Sequence, residues 1–319
     1  MAEANGAPPL AWFFATAERR RQAWRYWVAD TATGLFNMGL HCGLRLLPID
    51  ACSTLGGVIG ALAKYRYPAS DARARKAWMT LRPGEADQDS TDAAMLRLWR
   101  CVGRTMAEFS VLDRLWPAGR ISVDGLDYLK AAHAAGKPII GMSLHLGNWE
   151  TVPVMALANG FKGASIYLPP DNRFDHLVVN RARDRLGGDY IIASRRTGFE
   201  AIRTLVKKNQ GILMYVDEFV RGRVWAPAFG RPLRRQGNIA YILRIARLTG
   251  AVIFPIYSVR VEGRARFKVT VLPALDLVQS GDREADLMAN IAMIDALIDP
   301  IIRAHLDQWF YGLDFEFDQ

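Results

Sequence analysis

The sequence predicts an α/β protein in which helices flank a mixed, largely parallel sheet, with a helical region before it. Two observations support this prediction. From Ile121 onward, short runs rich in Val, Ile and Leu alternate with longer segments of helical periodicity, which is typical of parallel sheets. Two later strand-like runs, residues 251–261 and 266–271, are joined across Glu262-Gly263, which indicates an antiparallel hairpin and hence a mixed sheet.

The individual elements follow from local signals along the chain. Gly136 ends the helix predicted at residues 126–135, and a Gly-Asn pair ends the strand predicted at residues 138–144. We divide the chain into a helical region, residues 1–115, and an α/β domain, residues 116–319. Further strands are predicted at residues 121–123, 164–168, 190–193 and 211–216. Further helices are predicted at residues 93–115, 151–158, 175–186, 199–208, 239–249 and 283–305.

Positive charge is concentrated in one part of the chain. The 319 residues carry a formal net charge of +9, and residues 181–266 hold 18 Lys and Arg against 6 Asp and Glu. This surplus predicts an anionic partner, such as an acidic membrane surface or an acidic carrier substrate, although a solvated basic face would give the same pattern. The basic residues lie among strand-like runs and form no recognisable nucleic-acid-binding module, so we expect no nucleic acid partner.

The helical region contains the most membrane-like segment. Residues 31–63 are rich in Leu, Gly, Ala and Ile, but Arg45, Pro48 and Asp50 interrupt them, so no run of about 18 apolar residues exists. We predict two helices here, which either lie in a membrane interface or pack on the α/β domain as a cap. The candidate interfacial anchors are Trp12, Trp24, Tyr26 and Trp27.

Residues 137–150 are the most informative segment for chemistry. An apolar run predicts a buried strand that ends at His145, and a helix is predicted soon after it, with Asn148 as its N-cap. The histidine therefore lies at the carboxyl end of a central strand, where open α/β sheets bind their ligands. Glu150, in the first helical turn, is placed to orient the imidazole. A base held by a carboxylate is what deprotonating a hydroxyl requires.

The block His145-Leu-Gly-Asn-Trp-Glu150 resembles the signature of the bacterial lipid A biosynthesis acyltransferases, the late lauroyl and myristoyl transferases of the lysophospholipid acyltransferase superfamily. This resemblance implies a glycerolipid acyltransferase-like fold. It also implies that His145 removes the proton from an acceptor hydroxyl while Glu150 orients and charge-balances the imidazole. The resemblance continues in ordered blocks to Gln308-Trp-Phe-Tyr311, to which we assign core packing or membrane contact.

Further blocks imply substrate contacts by the same resemblance. An arginine-bearing helix follows the catalytic strand in the family, and we match Arg183 to it as a contact to a phosphate or a developing oxyanion, with a surface arginine as the alternative. Asp217, at a strand end, is expected to organise the site. Arg231, in a loop ending in Phe-Gly-x-Pro, is expected either to contact an anionic head group or to be solvated. Asn148 completes the predicted substrate-binding set.

The resemblance predicts acyl transfer from an acyl carrier protein or coenzyme A thioester, both anionic, to a hydroxyl of a lipid A precursor or a related glycolipid. Aminolipids and phosphoglycolipids are alternative acceptors. We expect no metal and no cofactor beyond the co-substrate, because the chain has no HExxH and no Cys/His set with zinc spacing. We expect the protein at the cytoplasmic face of the bacterial inner membrane, either peripheral or anchored by its N-terminal region.

Two other functions remain open at this level. Gly141-Met-Ser143-Leu-His145 begins like the nucleophile elbow of serine hydrolases, but a histidine stands where the second glycine is needed for close packing. The other alternative is a non-catalytic homologue that only binds anionic membranes. The presence of both His145 and Glu150 disfavours it.

Overall fold

A computed structural model of the chain describes residues 7–220 and 223–316, so the outermost residues of both predicted domains and residues 221–222 lie outside the described parts. The strands are β1 (Ile121–Asp124), β2 (Ile139–Ser143), β3 (Gly163–Tyr167), β4 (Asp189–Ile192), β5 (Gly211–Tyr215), β6 (Phe219–Val220), β7 (Arg223–Val224), β8 (Val252–Arg260) and β9 (Phe267–Val271). Seven of them form one sheet in the order β1-β9-β8-β2-β5-β3-β4, while β6 and β7 pair separately.

Helices precede the sheet and then alternate with its strands. The first group is α1 (Ala17–Trp24), α2 (Asp30–Arg45), α3 (Ile49–Arg66), α4 (Pro68–Leu81), α5 (Gln88–Glu108) and α6 (Leu112–Leu115). The second group is α7 (Leu126–Ala134), α8 (Thr151–Ala158), α9 (Arg173–Asp184), α10 (Thr197–Val206), α11 (Asn238–Thr249) and α12 (Arg283–Ala304). The predicted α/β class and the N-terminal helical region are confirmed.

The sheet is mixed because one pair of its strands is antiparallel. β8 and β9 pair antiparallel, and the turn between them places Glu262 and Gly263 at φ values of 54° and 61°. The other neighbouring strands of the seven-stranded sheet run parallel. This confirms the predicted hairpin. The β6–β7 pair was not predicted, since each of its strands has only two residues.

Helices cover both faces of the sheet, so its central strands are apolar on both sides. On β2, Ile140 and Met142 join the buried cluster that includes residues of α10, α11 and α12. Ile139 points to the opposite face and packs on the cluster that includes residues of α7 and α8. Parallel strands buried on both faces read as continuous hydrophobic runs, which is how this strand could be predicted.

The two helices predicted within residues 31–63 are α2 and α3, and α3 packs tightly against α5. A Cβ added to Gly60 would lie 2.2 Å from the carbonyl oxygen of Trp99, so only glycine permits this approach. The outer face of α3 exposes large apolar side chains, namely Leu55, Val58, Ile59 and Leu62. One face of α3 packs against the protein as the cap alternative predicts, and the membrane-interface alternative stays a prediction for the exposed face. Among the described residues, no helix is long and apolar enough to cross a membrane.

Candidate active site

The site lies where two neighbouring central strands end. β2 and β5 pair in parallel with Ser143 opposite Tyr215. His145 and Asp217 each follow two residues later, so the register brings their side chains together at the carboxyl edge of the sheet. The His145 side chain is 18% exposed, whereas the Asp217 carboxylate is buried. Solvent and substrate therefore reach the imidazole and not the carboxylate.

Asp217 holds His145 through both of its carboxylate oxygens. Oδ1 lies 2.9 Å from the imidazole Nδ1, and Oδ2 accepts the backbone N–H of His145 at 2.8 Å. Because a carboxylate only accepts hydrogen bonds, we assign the proton of this bond to Nδ1, which leaves Nε2 as the nitrogen that can accept one. An imidazole oriented by a buried carboxylate is the arrangement of a general base.

Aromatic rings surround the imidazole. The ring centroids of Tyr215, Tyr311 and Trp149 lie 4.4, 4.9 and 5.2 Å from that of His145. Burial is the largest cause that raises the pKa of the Tyr215 and Tyr311 phenols, so both stay protonated at neutral pH. Neither phenol can therefore act as a base at neutral pH.

The predicted contact between Glu150 and His145 is wrong. The Glu150 carboxylate turns away and accepts a 2.6 Å hydrogen bond from Nη2 of Arg183 on α9, and both residues are buried. Asp217 takes the orienting position instead. The spacing in sequence placed Glu150 near the histidine, but it could not reveal that a buried arginine from another helix would compete for its charge.

Arg183 is an internal residue and not a surface arginine. It is 7% exposed, and its guanidinium carbon lies 4.3 and 4.6 Å from the ring centroids of Tyr167 and Tyr190. Burial lowers the pKa of Arg183, but the charge and hydrogen bond of Glu150 outweigh it and raise that pKa above its ordinary value. Its Nε and Nη1 groups are buried and have no hydrogen-bond partner among the described residues.

Asn148 supports the turn after the histidine and is completely buried. The helix begins at Thr151, in agreement with the predicted bounds, but Glu150 and not Asn148 occupies the N-cap position. The Asn148 Oδ1 accepts the backbone N–H of Glu150 at 3.2 Å, and its Nδ2 donates to Glu108 at 2.9 Å. Both ends of the Asn148 amide are thus bound within the protein, so Asn148 is not placed to contact substrate as we predicted.

A buried ion pair behind this turn was missed from the sequence. Glu108 on α5 and Arg260 at the end of β8 form two hydrogen bonds of 2.6 and 2.8 Å, with both side chains almost fully buried. Ser53 of α3 donates to the same carboxylate at 2.6 Å. These residues are far apart in sequence, and no local pattern distinguishes Glu108 from an ordinary helical surface charge.

Arg231 does not reach the site as a free cation. Its Nε, Nη1 and Nη2 donate to the backbone carbonyls of Ala228, Val224 and Pro227 at 2.8, 3.1 and 3.0 Å. The guanidinium also lies 4.7 Å from the ring centroid of Phe315. Arg231 is therefore not positioned for the expected contact with a head group, because its guanidinium donates to carbonyl groups of its own loop.

Ser143 is placed poorly for a nucleophile. It is completely buried, and its Oγ has no hydrogen-bond partner among the described residues. A nucleophilic serine needs a base within hydrogen-bond reach. The bond that would link Ser143 to His145 is missing, so the geometry disfavours the serine hydrolase alternative.

An apolar cavity runs between α8 and the sheet, on the face that carries the odd-numbered residues of β2. It holds about 900 Å³ of unoccupied space, its open mouth included. Three glycines, Gly141, Gly163 and Gly211, lie along its sheet wall, and α8 contributes Val152 and Ala156. A Cβ on Gly141 would lie 3.0 Å from a Leu213 methyl group, so this glycine leaves space in the cavity, whereas a Cβ on Gly163 would meet the Gly211 carbonyl oxygen at 2.8 Å, so Gly163 permits the close approach of two strands. The strand residues that line the cavity come mainly from the amino ends of β2, β3 and β5, whereas His145 follows the carboxyl end of β2 and does not line it.

Comparisons with known proteins identify the family of this chain. The chain matches the family described as bacterial lipid A biosynthesis acyltransferase over residues 19–313. A phosphatidylinositol mannoside acyltransferase from Mycolicibacterium smegmatis is 26% identical over 258 residues, which cover 77% of this chain and 81% of that protein. A lipid A biosynthesis acyltransferase from Haemophilus influenzae is 21% identical over 292 residues, covering 90% of this chain and 87% of that protein.

A shorter match concerns a phosphatidylinositol mannoside acyltransferase from Mycobacterium tuberculosis, which is 30% identical over 165 residues and half of each chain. The family match, in contrast, extends over most of the sequence and contains His145, Glu150, Arg183 and Asp217. The protein therefore belongs to the bacterial lipid A biosynthesis acyltransferase family, and it is an acyltransferase.

Proposed function

We propose that this acyltransferase moves a fatty acyl chain from a thioester of acyl carrier protein or coenzyme A to a hydroxyl of a lipid A precursor or a related glycolipid, with His145 as the general base. The observation that carries the proposal is the bond between Asp217 and Nδ1 of His145, which leaves Nε2 to accept the hydroxyl proton. Glu150 supports the site through Arg183 and does not touch the imidazole.

The reaction proceeds by direct attack of the acceptor on the donor. Nε2 of His145 takes the acceptor proton as the oxygen forms a bond to the thioester carbonyl carbon. The C–S bond of the resulting tetrahedral intermediate then breaks, and the imidazolium returns its proton to the leaving thiolate. The negative charge of Asp217, 2.9 Å from Nδ1, stabilises the imidazolium between these steps.

The apolar cavity is the proposed binding site for the acyl chain. Its walls are mainly aliphatic, as in typical pockets for apolar ligands. Burying a methylene group gains about 0.8 kcal/mol, so a chain of a dozen carbons binds mainly through this apolar contact. The cavity lies toward the amino ends of β2, β3 and β5, so the thioester end of a chain bound there has to extend past Ser143 to reach His145.

Arg183 is the proposed contact for the negative charge of the substrate. One of its donors is engaged by Glu150, while Nε and Nη1 are without partners among the described residues. Unpaired buried donors carry a desolvation cost, so an anionic oxygen placed there would be held strongly. A phosphate of the acceptor or the oxyanion of the intermediate meets this requirement.

The proposed acceptor is a membrane lipid, and the N-terminal helices offer a surface for it. Large apolar side chains are exposed on α2 and α3, and α1, which precedes α2 in the chain, carries the exposed arginines Arg19, Arg20 and Arg21. Contiguous exposed apolar surface marks interaction sites, and adjacent cations favour an anionic bilayer. We therefore propose peripheral binding at the cytoplasmic face of the bacterial inner membrane.

The anionic donor also fits the charge distribution, although less charge is available than the sequence count indicates. Of the 18 basic residues between positions 181 and 266, Arg183, Arg231 and Arg260 are used internally. Others are exposed, including the adjacent pairs Arg195-Arg196 and Lys207-Lys208. These remaining cations can attract an acidic carrier protein or the phosphates of coenzyme A.

The test is an acyl-transfer assay with purified protein in detergent micelles. Myristoyl-acyl carrier protein and palmitoyl-coenzyme A are offered as donors, each with a lipid A precursor, a phosphatidylinositol mannoside and an aminolipid as separate acceptors. We expect wild type to acylate at least one acceptor and His145→Ala to be inactive while keeping its thermal unfolding temperature. The preferred pair of substrates identifies donor and acceptor.

Two results would overturn the proposal. Equal activity of wild type and His145→Ala would remove His145 from the chemistry. Vesicle binding by wild type without transfer to any acceptor would instead support the non-catalytic homologue.

A further inference from the structure

The segment that follows α12 lies directly beside the catalytic turn. The backbone N–H of Phe310 donates to the carbonyl of His145 at 3.0 Å, and that of Gly147 donates to the carbonyl of Gln308 at 3.1 Å. Leu146 and Trp309 form an antiparallel bridge between these bonds. The C-terminal segment thus pairs with the chain on both sides of Leu146 and fixes the backbone that carries the histidine.

The Gln308 side chain fastens this segment to the sheet. Its Oε1 accepts the backbone N–H of Arg260 at 2.7 Å, and its Nε2 donates to the Arg260 carbonyl at 3.1 Å. The amide therefore satisfies both backbone groups at the end of β8. The segment is held at two places, the sheet edge and the catalytic turn.

The Trp309 side chain contacts the carboxylate that orients His145. Its indole Nε1 donates to Oδ2 of Asp217 at 2.9 Å, and the indole is completely buried. Asp217 therefore receives three hydrogen bonds, two from His145 and one from Trp309. A carboxylate with donors on both oxygens is fixed in rotation, and each donor takes up part of its charge.

We infer that Trp309 is a positioning residue that sets both the orientation and the proton affinity of the His145–Asp217 pair. This inference rests on the proposed role of His145 as the base. Without the indole donor, more negative charge remains on Asp217 to hold the imidazolium, so the base stays protonated to higher pH. The carboxylate also gains freedom to turn away from Nδ1.

Trp309→Phe tests this inference because it removes the N–H and keeps an aromatic ring. Trp78→Phe is the matched control, since Trp78 is equally buried and its Nε1 donates to the carbonyl of Glu85 at 3.0 Å, outside the site. With palmitoyl-coenzyme A and the acceptor that wild type uses, we expect Trp309→Phe to lower kcat about 10- to 100-fold. The KM for the donor should stay unchanged, and the acid limb of the kcat/KM profile should move to higher pH.

A merely structural tryptophan would not produce this pattern. Trp78→Phe should keep the wild-type kcat and pH profile, although its stability can fall. If Trp309→Phe does not fold, replacement of Trp309 by 3-benzothienylalanine retains the shape of the indole and removes only the donor. It should give the same loss of kcat and the same shift of the pH profile.

The outcomes separate this inference from the proposed function. If His145→Ala retains activity, the proposed base is wrong. If His145→Ala is inactive while Trp309→Phe or the benzothienyl variant keeps both kcat and the pH profile, only the role of Trp309 is overturned. A loss of kcat without a pH shift would also overturn its effect on proton affinity.

Discussion

Asp217→Asn is the change that most directly probes how the imidazole is held. The carboxylate accepts one bond at Oδ1, from the imidazole, and two at Oδ2, from the backbone N–H of His145 and from Trp309. An asparagine keeps its oxygen toward the two donors, because the opposite orientation would place its NH2 group against both. The NH2 group then faces Nδ1 and can be satisfied only if Nδ1 gives up its hydrogen.

The consequence is an imidazole in the wrong tautomer. Nε2 would carry the hydrogen and could no longer accept one from the acceptor hydroxyl. The equivalent change in the Ser-His-Asp triad costs about 10⁴ in kcat, and we expect a loss of about 10³–10⁴ here. This corresponds to about 4–5.5 kcal/mol of activation free energy.

The assay compares kcat for Asp217→Asn and Asp113→Asn at a fixed pH with saturating palmitoyl-coenzyme A. Asp113 is a suitable control because its carboxylate accepts two bonds from Arg45, at 2.8 and 2.9 Å, outside the site. We expect the control to retain the wild-type kcat. If Asp217→Asn kept more than about a tenth of the wild-type kcat, the tautomer argument would be refuted.

Three further changes test other parts of the account. Glu150→Gln leaves the buried Arg183 without its counter-ion, so the free energy of unfolding in urea should fall by about 3–5 kcal/mol. An unchanged unfolding midpoint would contradict the stabilising role of this ion pair. Gly141→Ala places a Cβ 3.0 Å from a Leu213 methyl group in the cavity, so the preferred acyl chain should shorten in a series of donors of increasing chain length. An unaltered chain-length preference would exclude the cavity as the binding site for the acyl chain. Leu62→Asp should weaken sedimentation with phosphatidylglycerol vesicles, while Leu248→Asp on α11, where the leucine is even more exposed, should not; equal effects would remove the membrane role of α3.

The fold could be predicted because its signals are local. The apolar runs of β2 and β8 and the Glu262-Gly263 turn are visible in the sequence, and each specifies its element without reference to distant residues. The N-cap of the helix after His145 was predicted wrongly. Asn148 does not cap this helix, because its side chain binds Glu108 on α5, a contact that no local pattern encodes.

The site was predicted less completely because its contacts depend on strand register and long-range pairing. His145 could be placed at a strand end, but its partner is Asp217, which is brought there by the pairing of β2 with β5. Glu150 lies closer to His145 in sequence, yet its carboxylate forms an ion pair with Arg183. Trp309 had a recognisable sequence context, but its donor role depends on where the C-terminal segment returns to the sheet.

The central claim is that His145 and Asp217 act as one catalytic unit, and a double-mutant cycle tests it most directly. The measurement is kcat for His145→Ala, Asp217→Asn and the double variant, with the substrates that wild type uses. If Asp217 acts only through the imidazole, the double variant should be no slower than His145→Ala alone. If the two losses multiply in the double variant, the residues act independently, and the account of the base is contradicted.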